Sequence, residues 1–209
     1  MINRILLTTS LLFAIIYSYG QIIATTNSEY HYFRGIKQPP EDCKNVDFDD
    51  SDWSIGYKTI GWGDGDDSTL IDTCSSVYLR IDFDGDYLWV SDELSLLPDF
   101  DDGFAAYING QLIAKANLVC SQDSPPTYTQ LAERSHEATD YRNIEVANCS
   151  YFISNEFINK YITSGKNVLA IEIHNDSIKG SDLSFKCDFR KPIFHVTENN
   201  EEGRAISCT

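Results

Sequence analysis

Basic residues are scarce in this chain. It carries 16 Lys and Arg against 32 Asp and Glu, a formal net charge of −16 at pH 7. A surface of that sign repels phosphate backbones, which argues against nucleic acid as a partner. It is compatible with cations, basic proteins and neutral glycans. Acidity also keeps an extracellular protein soluble, so the charge alone does not select a ligand.

Sequence motifs of common catalytic classes are missing. There is no G-x-S-x-G elbow, no catalytic cysteine signature and no glycine-rich phosphate loop that leads into a helix. No two cysteines are spaced C-x-x-C, which argues against a zinc ribbon or a thioredoxin-like site. His136 lacks the second histidine that a helical zinc motif requires four residues later. We therefore expect a binding protein and not an enzyme.

Long apolar segments are missing as well, except for one run at residues 5–16. Arg4 precedes this run, and the small residues Ser18 and Gly20 follow it, which is the layout of a cleavable secretory signal peptide. The run has about 12 residues, fewer than the roughly 20 needed to span a bilayer. We expect a secreted, extracellular protein with no membrane span.

All six cysteines follow this leader. An even number of cysteines in an exported chain predicts three disulfides, with about 15 possible connectivities. The residues are Cys43, Cys74, Cys120, Cys149, Cys187 and Cys208. Two N-x-S sequons, at Asn148 and Asn175, predict a glycoprotein if the source is eukaryotic.

The body of the chain consists of short β-type segments separated by turn residues. Alternation of apolar and polar residues is typical of half-buried strands. Asn109-Gly110 tolerates positive φ at both residues, so a hairpin turn is predicted between strands 104–108 and 111–116. Further strands are predicted at residues 77–83, 168–173 and 183–189. This pattern favours an all-β sandwich.

One short connecting helix is predicted over residues 154–162, with Ser154 as its N-cap. Residues 121–142 are polar and predict a long loop. The chain is thus divided into a signal peptide at 1–20, a loose polar lead-in at 21–29, a β-sandwich domain at 30–195 and an acidic tail at 196–209. We expect Cys208 to attach this tail to the domain.

Four segments carry the pattern of a known family. They are Tyr32-Phe-Arg-Gly35 with Phe48-Asp-Asp-Ser-Asp-Trp53, Gly61-Trp-Gly-Asp-Gly-Asp-Asp-Ser-Thr69, residues 101–110, and residues 165–175. In this order they resemble the galactose-binding-like (jelly-roll) β-sandwich domains of secreted proteins that occur beside spore-coat-H-like and lamin-tail modules. They are more distantly similar to the sugar-binding domain of β-galactosidase-type glycosidases. The resemblance implies a jelly-roll fold, a sugar or protein ligand and, in many members, a structural Ca²⁺.

A metal site is predicted in the loop after Trp62. The loop concentrates carboxylates, and hard oxygens of this kind are the ligands of Ca²⁺. The candidate ligands are Asp64, Asp66, Asp67 and Asp72. The alternative is that these side chains cap turns by accepting backbone hydrogen bonds. Asp101 and Asp102 are interpreted as structural, at the entry to a strand.

Aromatic residues are the candidate sugar ligands, because an exposed ring can stack on the C–H face of a pyranose. Trp62 is the best placed, since loops carry binding residues. Trp89 and Tyr128 are further candidates. Trp53 is predicted to lie in the core, after a turn formed by residues 48–52, and His174 to be a core or edge residue.

The sequence therefore predicts a secreted, non-catalytic module that binds a carbohydrate or glycoprotein and holds Ca²⁺. The first alternative is an acidic extracellular matrix or structural protein that binds Ca²⁺ or mineral. A glycoside hydrolase-associated protein is the third interpretation.

Overall fold

The computed structural model describes residues 21–63, 65–88, 93–138 and 150–191. The predicted signal peptide and the predicted acidic tail lie outside these residues. Over the described ranges, the longest helix is too short to cross a bilayer.

The first of two sheets has six strands. They are β1 (Ile22–Thr25), β4 (Ile60–Trp62), β5 (Thr69–Leu70), β7 (Leu94–Asp101), β10 (Tyr151–Ile153) and β12 (Leu183–Arg190). Their order is β10-β7-β12-β4-β5, and β1 also pairs with β12. Only β4 and β5 run parallel among these pairs.

The second sheet also has six strands. They are β2 (Glu29–Arg34), β3 (Ser54–Tyr57), β6 (Ser76–Asp84), β8 (Gly103–Ile108), β9 (Gln111–Ala116) and β11 (Lys166–His174). Their order is β3-β2-β6-β11-β8-β9, with every pair antiparallel. Asn109 and Gly110 form the turn between β8 and β9 with φ of 49° and 82°, which confirms the predicted hairpin.

The main core lies between the two sheets. The aromatic ring of Phe104, on β8, is fully buried and contacts rings from the first sheet. Its centroid is 4.8 Å from that of Phe100 and 6.2 Å from that of Phe185. Alternate residues of the longer strands point into this core. The all-β sandwich predicted from the sequence is therefore confirmed.

The outer face of the second sheet is covered by two segments. Residues 41–53 begin with a short 3-10 helix, Glu41–Lys44, and residues 117–138 form a loop with one isolated bridge. His174 and Arg80 face this cover, and both are buried. A sheet with both faces covered has buried polar residues on its outer side, which strand alternation alone does not predict.

Two local predictions have different outcomes. The helix is confirmed as α1 (Asn155–Tyr161), where the Ser154 hydroxyl accepts a hydrogen bond from the backbone N–H of Phe157. The loose lead-in is wrong, because residues 22–25 form β1 and Ala24 packs in the core. A four-residue strand is too short to show a periodic pattern, and its pairing with β12 is long-range.

Candidate functional site

An open cavity of about 430 Å³ lies at one edge of the second sheet. Its lining residues come from β2, from the end of the covering segment 41–53 and from the chain around β5. They are Tyr32, Phe33, Arg34, Ile36, Asp52, Trp53, Ser54, Leu70, Ile71 and Asp72. Ile36 and Leu70 are 63% and 68% exposed, so the cavity has apolar side chains at its rim and is open to solvent.

Trp53 forms the aromatic wall of this cavity. A turn places it there, and in this turn the Trp53 backbone N–H donates to the Asp50 carbonyl at 2.9 Å. Its ring centroid is 5.5 Å from that of Phe33 and 5.7 Å from that of Phe48. The prediction that Trp53 lies in the core is therefore wrong. It packs on the outer face of the second sheet, where its ring stays half-buried.

Arg34 and Asp72 supply the charged groups of the cavity. The Arg34 guanidinium donates to the Asp72 carboxylate, which is 90% exposed. Asp52 and Ser54 also line the cavity, and both are exposed. A donor and an acceptor held side by side match the hydroxyl groups of a sugar, since each hydroxyl both accepts and donates. The cavity thus combines an aromatic wall with paired polar groups.

The two predicted aromatic ligands that the structure describes, Trp62 and Tyr128, lie beside different sheets. Trp62 lies on β4 of the first sheet, where its half-buried ring packs against the main core. Tyr128 lies beside the second sheet, where its carbonyl accepts from the Ser76 hydroxyl. Trp89 lies outside the described residues. The binding role of Trp62 stays a prediction, although β4 draws part of its side chain onto the core.

The predicted calcium ligands that the structure describes do not converge on one point. The Asp67 carboxylate is buried and accepts a hydrogen bond from the Ser184 hydroxyl at 2.8 Å. Asp72 instead pairs with Arg34, Asp66 is exposed, and Asp64 lies outside the described residues. The described carboxylates hold different parts of the chain, which favours the turn-capping alternative, and a calcium site in this loop stays a prediction.

Three other acidic residues do converge. Carboxylate oxygens of Asp101, Glu137 and Asp182 all lie within 4.8 Å of one another. Within the described part of the chain, this is the one group of three or more potential metal ligands that lie so close together. Asp101 ends β7, while Glu137 and Asp182 come from separate loops. The neighbouring Asp102 carboxylate accepts from the backbone N–H of His136 and of Asp176, each at 2.7 Å, and so fixes both loops.

Burial and mutual repulsion shift the acidity of this group. Burial, followed by the charges of Asp102 and Asp182, raises the pKa of Asp101 to about 8. Burial and the Asp102 charge also raise the pKa of Asp176. Carboxylates that repel one another are stabilised by a cation between them, and oxygen ligands suit Ca²⁺. The interpretation of Asp101 as purely structural missed this, because its partners are distant in sequence.

Among the residues that the structure describes, none of the predicted disulfides is formed. Four of the six cysteines are buried free thiols, and Cys149 and Cys208 lie outside the described residues. The free thiols are Cys43, Cys74, Cys120 and Cys187. Burial raises the pKa of Cys43 and of Cys74 to about 11, so both thiols are protonated and unreactive at neutral pH.

The two predicted glycosylation sites have different outcomes. Asn148 lies outside the described residues and remains a prediction. Asn175 is fully buried, its Nδ2 donates to the Asp182 carbonyl at 2.9 Å, and its Oδ1 accepts from the Ser177 N–H. The fold leaves no room for a glycan on Asn175, so the side chain is structural.

No protein-family model matches the chain, and no curated protein is significantly similar to it. Among solved structures, it is similar to a β-glucuronidase of Bacteroides uniformis, with 16% identity and a TM-score of 0.46 over 81% of this chain and 18% of that one. A β-glucuronidase of an uncultured Clostridium sp. has 13% identity and a TM-score of 0.45, with 86% and 31% covered. A Bacteroides vulgatus β-glycosidase has 11% identity and a TM-score of 0.43, with 81% and 20% covered. The chain spans less than a third of each of these proteins.

Proposed function

We propose that the chain is a secreted, non-catalytic carbohydrate-binding module whose ligand occupies the cavity beside Trp53. The observation that carries this proposal is the combination of the Trp53 ring with the Arg34–Asp72 pair in one open cavity. Small-ligand sites are concave and mostly apolar, with a few polar groups that fix the orientation. This cavity is concave and has such orienting polar groups, while apolar and polar surface have similar shares in its lining.

In the proposed complex, the C–H face of a sugar ring lies against Trp53, with Leu70 and Ile71 beside it. Adjacent hydroxyl groups accept from Arg34 and donate to Asp72. An uncharged glycan is favoured, because the exposed carboxylates of Asp52 and Asp72 and the net charge of −16 repel an anionic sugar.

A glycan array, probed with and without EDTA, tests this function. We expect binding to a set of neutral glycans. The absence of binding to every glycan under both conditions contradicts the proposal. Binding restricted to uronic acid or sulfated glycans contradicts the assignment of a neutral ligand.

A second candidate function is Ca²⁺ binding by Asp101, Glu137 and Asp182. Their converging carboxylates and the raised pKa of Asp101 support it. Such an ion would join the end of β7 to two loops and stabilise that end of the sandwich. This is also the site that the alternative role, an acidic matrix protein that binds Ca²⁺ or mineral, would use.

The stability of the Ca²⁺-free protein is expected to fall as the pH rises from about 4 to about 8. The folded state retains a proton on Asp101, whose pKa is about 8, whereas the unfolded chain releases it near the ordinary carboxyl pKa of 3.8. Millimolar Ca²⁺ should therefore raise the Tm more at pH 8 than at pH 5, because it replaces that proton. Thermal melts in EDTA and in Ca²⁺ measure both effects.

The control for this prediction is Asp82→Asn, which removes an exposed carboxylate on β6. Asp101→Asn should reduce the pH dependence and abolish the response to Ca²⁺, while Asp82→Asn should change neither. An unchanged Ca²⁺ response in Asp101→Asn contradicts this metal site.

A further inference from the structure

Residues 41–53, which we call the strap, cross the outer face of the second sheet without joining it. Over the described residues, the backbone hydrogen bonds of the strap are local, such as those from Cys43 to Pro40 and from Trp53 to Asp50. Cys43 is the one fully buried residue of the strap. Neither sheet pairing nor extensive apolar burial therefore fixes its position.

Arg80 of β6 binds the strap at three points. Its Nε donates to Asp50 Oδ2 at 2.6 Å, and its Nη1 donates to the carbonyls of Cys43 at 2.5 Å and Asn45 at 3.0 Å. The guanidinium carbon also lies 5.2 Å from the centroid of the Phe48 ring. Arg80 is 2% exposed, so these charge-assisted bonds are shielded from water.

Glu172 of β11 provides a second anchor on the neighbouring strand. Its Oε1 lies 2.5 Å from Lys44 Nζ, and Glu172 is 2% exposed. Lys44 Nζ also lies 4.9 Å from the centroid of the Tyr107 ring. The floor beneath the strap is thus partly charged, and these ion pairs hold the strap together with the aromatic contacts of Phe48 and Trp53.

Asp50 connects this attachment to the cavity. Its carboxylate binds Arg80 and lies 2.9 Å from His31 Nδ1, while its carbonyl accepts from the N–H of Trp53. Trp53 then reaches the cavity wall and packs on Phe33. A shift of Asp50 must move the turn, and with it the indole ring.

We infer that Arg80 and Glu172 form an ionic latch that holds the strap on the second sheet and thereby sets the position of Trp53. They are positioning residues for the cavity, which neither of them lines. When Arg80 or Glu172 is replaced, the partner left behind, Asp50 or Lys44, lies on the strap and can turn toward water. The strap is then released while the two sheets stay paired. The inference rests on the proposed function only where it bears on glycan affinity.

Tryptophan fluorescence tests the latch without any ligand. The double variant Trp62→Phe/Trp89→Phe leaves Trp53 as the sole tryptophan, and Trp53→Phe/Trp89→Phe leaves Trp62. Glu172→Gln and Asp50→Asn are added to each background, and acrylamide quenching is measured. We expect the quenching constant of Trp53 to rise about twofold or more, as for a locally opened segment, with that of Trp62 unchanged.

Arg80→Lys should also increase Trp53 quenching, because a lysine ammonium cannot replace the three-point guanidinium contact. Asp82→Asn is the matched control, since it breaks the exposed pair of Asp82 with Lys166 on the same sheet and should leave Trp53 quenching unchanged. Asp50→Asn lies on the strap side of the latch and provides the test if Glu172→Gln fails to fold.

Two results would overturn the inference. One is unchanged Trp53 quenching in Asp50→Asn or Glu172→Gln protein that retains its far-ultraviolet circular dichroism. The other is an equal rise for Trp53 and Trp62, which indicates general loosening of the sandwich. A wild-type protein that binds no glycan would contradict the proposed function but would leave this measurement interpretable.

Discussion

Trp53→Ala is expected to weaken glycan binding by about 30-fold or more, the loss typical of a buried aromatic anchor worth about 2 kcal/mol. The indole forms the aromatic wall of the cavity, and alanine removes the surface against which a sugar ring would pack. Isothermal titration calorimetry with a neutral glycan selected on the array measures the change in Kd.

The matched control is Trp62→Phe, at the tryptophan that the sequence favours as a ligand. Its ring packs on the core of the first sheet, so phenylalanine should leave the Kd within about twofold of the wild type. Trp53→Ala must also retain its melting transition, because Trp53 packs on Phe33 and Phe48. Normal affinity in folded Trp53→Ala protein, with a loss in Trp62→Phe, would place the site on the first sheet.

Phe104→Ala is expected to lower the free energy of unfolding by about 3–5 kcal/mol, the usual cost of a large cavity in a core. Phe104 is fully buried and connects the two sheets through Phe100, Phe185 and Tyr151. Urea unfolding should show a lower midpoint with an unchanged m-value.

The control for the core is Phe152→Ala, on the edge strand β10, where the phenylalanine is 54% exposed. This variant should change the free energy of unfolding by less than about 0.5 kcal/mol. Equal effects of the two substitutions would contradict a core formed between two packed sheets.

Local signals explain which elements the sequence predicts correctly. The β8–β9 hairpin depends on the φ preferences of two adjacent residues, Asn109 and Gly110, and the start of α1 depends on the Ser154 cap. Alternation within β6 and β12 shows that those strands are amphipathic. Such patterns report the type of an element and the side that it buries.

The two candidate sites depend on contacts that local signals do not contain. Trp53 and Trp62 both stand beside Asp-rich turns, and only the pairing of β4 with β12 turns Trp62 onto the core. Trp53 is held outside the core because Arg80 binds Asp50, 30 residues earlier in the chain. Asp101 and Asp182 likewise come from separate parts of the sequence. Arg80 stands at a position of β6 that alternation assigns to the solvent side, and the distant strap buries it there.

The most direct test of the carbohydrate-binding site is a titration followed by the indole N–H signals of the three tryptophans in ¹H–¹⁵N correlation spectra. Each signal is assigned by its loss in the corresponding Trp→Phe variant, and a neutral oligosaccharide is added to saturation. The account predicts a saturable shift of the Trp53 signal that is absent for Trp62. A ligand that binds with saturation while the Trp53 signal stays in place would contradict the site.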